Sequence, residues 1–157
     1  MTPRDFLDQI VRPNLSDFVA DQTDLRRALN ALATIDALAA HMFVWLEANA
    51  ATAVSGTSDD SHYRAQLATR STDFRLVRDA AKAQKHVRLT KHNPQVSSAS
   101  QMKSRAVGYG EGGWGDSPWG GGTVVTIELD DGSLAIAGPT LARALAFLEK
   151  EMAAQGL

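Results

Sequence analysis

The chain has 157 residues, is 44% hydrophobic and 22% charged, and contains no cysteine. That is the size and composition of one globular domain with a real core, and it excludes a disulfide framework, thiolate metal centres and a cysteine nucleophile. The formal net charge of −2 conceals three blocks: residues 1–59 carry −4, residues 60–105 carry +7 and residues 106–157 carry −5, so a basic middle is either a surface patch or paired with the acidic ends.

Thr2-Pro3-Arg4-Asp5 predicts a helix start, with Thr2 as cap, Pro3 in the first turn and Asp5 closing a capping box. The charges at Arg4, Asp5 and Asp8 argue against a signal peptide here. An apolar stripe of Phe6, Leu7, Ile10 and Val11 follows, and Pro13 is expected to stop it for want of an N–H. A short second turn is expected over residues 15–19.

Residues 24–49 read as the longest helix. Leu25, Ala28, Leu29, Leu32, Ile35, Ala39, Met42, Phe43 and Leu46 recur at helical spacing over an arc broad enough for a central position. Thr34, Asp36 and His41 interrupt its apolar run, so no membrane span, and no membrane partner, is expected. His41, one turn before Trp45, is expected to pack against the indole.

After a polar loop at residues 55–60, helices are expected over residues 62–67 and 71–88. The second is the clearest amphipathic helix of the chain. Phe74, Leu76, Val77, Ala80, Ala81, Ala83 and Val87 share one half of the wheel, while Arg75, Arg78, Lys82, Lys85 and His86 share the other side. Arg and Lys at this spacing can track a phosphate backbone; the alternative is a solvated face salt-bridged to the acidic segments.

Residues 93–122 turn to Ser, Gly, Pro and Gln and read as a long connection or arm. Within it Tyr109-Gly110, Trp114-Gly115 and Trp119-Gly120 repeat an aromatic-glycine pair at a fixed interval. Glycine permits close approach and the rings offer large amphipathic contacts, so Tyr109, Trp114 and Trp119 are candidate protein-binding or self-association residues. Residues 123–129 form a strand, Asp130-Asp131-Gly132-Ser133 a hairpin turn, and residues 134–137 the partner strand. A last helix starts at Gly138-Pro139-Thr140 and buries Leu141, Ala144, Leu145, Leu148 and Met152.

The expected fold class is therefore α+β and mostly helical, a helical bundle with a C-terminal β-hairpin followed by a helix. It is expected to be a single domain over residues 1–157: a helical region over residues 1–92, the connection over 93–122, and the hairpin plus helix over 123–157. No HExxH, GxSxG, GK[ST] or GxGxxG pattern is present, so neither a metal, a cofactor nor a nucleotide fingerprint is indicated.

Two resemblances bear on function. The string Arg78-Asp79-Ala80-Ala81-Lys82-Ala83-Gln84-Lys85-His86 resembles the Arg–His region of the HEPN ribonuclease superfamily, small helical bundles that place the two side chains together near a helix end. That likeness implies RNA binding or cleavage, with Arg78 stabilising phosphorane charge and His86 assisting proton transfer. The interval from Arg78 to His86 is wider than the family's motif, and that from Arg88 to His92 is narrower. The aromatic-glycine repeat in turn resembles segments of small bacterial and prophage structural proteins. That likeness covers residues 108–122 and implies no activity. The first expectation, from the aromatic-glycine arm and the hairpin edge as contact surfaces, is a non-enzymatic interaction or assembly protein, cytoplasmic or, if of phage origin, virion-associated; RNA binding or HEPN-like cleavage is the alternative.

Overall fold

The computed structural model describes residues 1–90, 93–108 and 121–157. Helices α1 (Pro3–Phe6), α2 (Arg12–Ala20), α3 (Leu25–Asn49), α4 (Asp60–Arg70), α5 (Thr72–His86) and α6 (Ala137–Ala154) surround a common core. Strands β1 (Met102–Val107), β2 (Gly122–Glu128) and β3 (Leu134–Ile136) form one antiparallel sheet in that order. The fold is α+β and mostly helical, a bundle with a C-terminal hairpin followed by a helix.

Thr2 and Asp5 make the reciprocal capping box expected of them. Pro13, however, does not end the helix. Residues Leu7–Val11 form a π-helical turn, and Arg12 N–H bonds to the Leu7 carbonyl before α2 continues. The wider turn opens the carbonyl ladder where the proline ring would otherwise collide. Asp24, Asp59 and Ser71 cap α3, α4 and α5 by accepting the N–H groups of Arg27, His62 and Phe74, each satisfying a donor the helix leaves open.

Helix α3 is the hub. Ala28, Ala31, Leu32, Ile35, Leu38, Ala39, Met42, Phe43 and Leu46 are buried, and it packs against α2, α4, α5 and α6. It is long and apolar enough to cross a membrane by length and composition, yet half of that stretch lies inside the protein. A helix buried on most sides must be apolar on most sides. His41 stacks on Phe6 with ring centroids 4.0 Å apart, rather than on Trp45, because the end of α1 lies across its face of α3.

The connection before the hairpin holds a third strand. In β1, Met102 pairs with Ile127 and Val107 with Gly122, and β1 covers one edge of the expected two-stranded hairpin. On the other side, beyond β3, Val125 N–H bonds to the Gln22 carbonyl. Four consecutive β2 residues, Val124 to Ile127, are buried. Val125 and Ile127 face the main core, while Val124 joins Val107, Ile136 and Leu134 in a small cluster. The Asp130–Ser133 turn closes with Gly132 at φ +83° and Asp131 accepting the Ser133 N–H. Helix α6 starts at Ala137, one residue before the expected Gly138.

Helix α5 ends at His86, short of the expected residue 88. Val87 leaves the helix at φ +63°, ψ −40°, with Arg88 N–H bonded to the His86 carbonyl at 2.7 Å. This is a three-residue γ-turn, a conformation that costs a β-branched residue about 1–3 kcal/mol. Val87 consequently sits 70% exposed, not on the buried face. Bonds that fix the turn are Ala99 N–H to the Val87 carbonyl and Leu89 N–H to the Ser97 carbonyl, beside the Arg88–Ser98 bridge.

A candidate anion-binding cleft

The basic face of α5 becomes the floor of an open cleft of about 1380 Å³, walled by α4 and by Arg88, Leu89, Thr90 and Pro94, with Asp36 of α3 at its back. Ser71 alone separates α4 from α5, so the two helices fold back on each other until Arg78 Nη2 lies 3.5 Å from the Ser61 carbonyl. The opposite wall is tied down by backbone bonds. Asp79, buried in α5, accepts the Gln95 N–H at 2.9 Å, and Arg75 donates to the Asn93 carbonyl at 3.2 Å.

Six cationic side chains line the cleft, Arg64, Arg75, Arg78, Lys82, Lys85 and Arg88, against three carboxylates, Asp36, Asp59 and Asp79. Their pairing is uneven. Arg64 is saturated, with Nη1 2.6 Å from Asp36 and Nη2 2.7 Å from Asp60. Arg75 and Arg78 share Asp79 at the long distances of 3.9 and 3.8 Å. Among the described residues Lys82, Lys85 and Arg88 have no carboxylate within ion-pair distance. Of the two readings of the basic stripe, internal pairing therefore accounts for some of the charge and leaves a surplus on the surface.

Arg78 is the least satisfied of the buried charges. Its side chain is 13% exposed, its Nε is buried with no acceptor, and its only hydrogen bond among the described residues is the long one to Ser61. A guanidinium brings five N–H donors into such a position, and leaving them unmet is costly. Burial pushes Arg78 below the usual arginine value, against the pull of Asp79 and Asp36. Burial also lowers Lys82, and the charges of Arg78 and Arg64 lower it further. Asp36 behaves conversely: burial raises its carboxyl above the ordinary value although Arg64, Arg78 and Lys82 all oppose the shift. Its Oδ1 has no partner among the described residues.

The five residues of the expected basic stripe, Arg75, Arg78, Lys82, Lys85 and His86, thus all line one cleft. Arg78 and His86 do not sit together within it. They are eight residues apart on α5, roughly 12 Å along the axis, with Arg78 recessed and His86 exposed at the helix end. Sequence pattern does not single out Asp36, Ser61, Arg64 or the structural role of Asp79 as features of a site. The Asp60–Arg64 spacing of one helical turn is the only local signal, since Asp36 and Arg64 meet through tertiary packing. Tyr109, Trp114, Trp119 and His92 lie outside the described residues. Among the described residues no group of three or more His, Asp or Glu side chains is placed to hold a metal ion.

Fold and site together define a small α+β protein with a cationic cleft on its helical side. No family model, curated protein or solved structure matches the chain.

Proposed function

We propose that the chain binds an RNA strand through the α4–α5 cleft, without cleaving it. The observation that carries the reading is Arg78, a recessed guanidinium short of acceptors in a cleft whose cations outnumber its carboxylates by three. Buried cations without partners are costly unless an anion completes them, and phosphate is the anion that guanidinium geometry fits best. Lys82 and Lys85 follow Arg78 at one-turn intervals, so the cations run along α5 as a track rather than closing around one point. A track fits a polymer better than a single small anion. The separation of Arg78 from His86 favours binding over an Arg–His cleavage mechanism.

The test is titration of a short unstructured oligoribonucleotide with wild type and with Lys82→Gln/Lys85→Gln, followed by electrophoresis of the recovered RNA. The expected result is salt-sensitive binding to wild type, weakened in the variant, and intact RNA. Absence of binding at low salt sinks the proposal. Cleavage lost in Arg78→Ala/His86→Ala would restore the nuclease alternative.

The assembly reading keeps one observation in its favour. The outer side of α3 exposes Val44 at 60%, beside Met1, Ala40 and Ala48, a patch of the kind that contacts proteins. A change of oligomeric state in Val44→Glu, measured by light scattering, would support it; an unchanged mass in that variant and in Trp114→Ala/Trp119→Ala would count against it.

A further inference from the structure

We infer that the recess at Arg78 seats a terminal phosphate, so that the strand this cleft prefers is one ending in a phosphate monoester. The inference rests on the nucleic-acid reading of the cleft and adds which portion of the strand is read.

The cations of the floor lie at two depths. Arg75 is 44% exposed and Arg78 13% exposed, one turn apart on the same helix. Arg78 is flanked by the Ser61 carbonyl of α4, by Asp79, and by Arg64 and Asp36 behind it. An internal phosphodiester is bulky on both sides, since a sugar continues from each of two oxygens. It can lie along the exposed Lys85 and Arg88 but cannot follow a side chain into a recess. A terminal phosphate has one ester link and three free oxygens, carries up to about two negative charges at neutral pH, and can enter end-on. Its oxygens match the two-pronged donor edge of a guanidinium.

The charge balance points the same way. Beyond burial, Arg64 and Arg75 disfavour the charge of Arg78, and Arg78 and Arg64 that of Lys82; against these four cations stand three carboxylates, Asp36, Asp60 and Asp79, which leaves one positive charge over. Arg64 is held by Asp36 and Asp60 and is not free to rotate onto a ligand. Arg78 is held only by a long hydrogen bond to Ser61 and a long contact to Asp79, and its Nε has no acceptor among the described residues. Lys82, the next cation along α5, then meets the first internal phosphate.

The experiment uses the full chain and three unlabelled oligoribonucleotides of one sequence, competing against a common labelled strand. One carries a 5′-phosphate, one a 3′-phosphate, and one hydroxyls at both ends. One phosphorylated form is expected to bind about ten-fold tighter than the hydroxyl form or better, the scale of a charge-assisted hydrogen bond. Which end it is sets the polarity of the strand in the cleft. Arg78→Gln should remove that preference, and Arg78→Lys should keep some of it. In wild type the preference should grow from about pH 5 to about pH 7.5 as the monoester takes its second charge near pH 6, a readout that needs no variant to fold. Equal affinity for all three strands overturns the phosphate seat and leaves the groove standing. A preference that survives Arg78→Gln overturns the role of Arg78. Failure of every strand to bind removes the groove and the seat together.

Discussion

Removing Lys82 and Lys85 is the perturbation whose size can be worked out most directly. Arg64 is neutralised by two carboxylates, and Arg75 and Arg78 have only Asp79 between them at 3.9 and 3.8 Å. Lys82, Lys85 and Arg88 are left without ion-pair partners among the described residues, so about three phosphates are neutralised by uncompensated charge. Each contributes a slope near −0.7 in log K against log salt for a single strand, giving about −2 in total. Between about 50 and 200 mM salt the wild-type affinity should therefore fall roughly twenty-fold. With both lysines replaced by glutamine the slope should shrink to about −0.7 and the fall to about three-fold. The fold should tolerate the change, because Lys85 is exposed and burial already disfavours the charge of Lys82. Fluorescence anisotropy across a salt series reads the slopes. A double variant with the wild-type slope would refute the assignment of phosphate contacts to α5.

Three further outcomes follow from the packing. Asp36→Asn should gain stability relative to wild type as pH rises from about 4. The folded-state carboxyl titrates above its unfolded value of 3.8, so the wild type holds its proton longer when folded and loses stability as that proton leaves. Urea melts at several pH values test this, and a difference that shrinks with rising pH would contradict the raised value, whatever the constant offset from packing. Phe74→Ala, at a fully buried position facing Phe147 of α6, should cost about 3–5 kcal/mol in chemical denaturation; a loss under about 1 kcal/mol would mean the α5–α6 contact does not belong to the core. Gly121→Ala should be destabilising by more than about 1 kcal/mol, because Gly121 sits at φ +80° and an added Cβ would meet the Val107 carbonyl at 3.0 Å; an unchanged melting temperature would show that this end of the β1–β2 ladder contributes little.

Period and punctuation are enough to find the helices. The cap Thr2 stands where the first helix begins, and the alternation of apolar and basic residues along α5 separates its buried face from its cleft face, while the helix expected over residues 62–67 extends as α4 from Asp60 to Arg70. The same signals fail at three places. Pro13 reads as a stop, but a π-turn carries the chain past it. Residues 102–107 carry Lys103, Ser104 and Arg105 and have no strong strand pattern. They become β1 because β2 offers an unpaired ladder of backbone groups, and pairing satisfies both. Val87 fits the apolar half of α5, yet the bond from Ala99 N–H to its carbonyl goes with a left-handed turn out of the helix.

Residue pattern alone makes the chain a mostly helical α+β protein whose positive charge gathers on one face of one helix. Periodicity and charge are local properties, and local properties survive without a partner. What that face encloses is a matter of packing. Tertiary contacts bring Asp36 and Arg64 together across 28 positions, commit Arg64 to carboxylates, and leave Arg78 recessed and short of acceptors. Whether a charge is satisfied depends on which groups from distant stretches of the chain reach it, and only the packing of α3, α4 and α5 settles that.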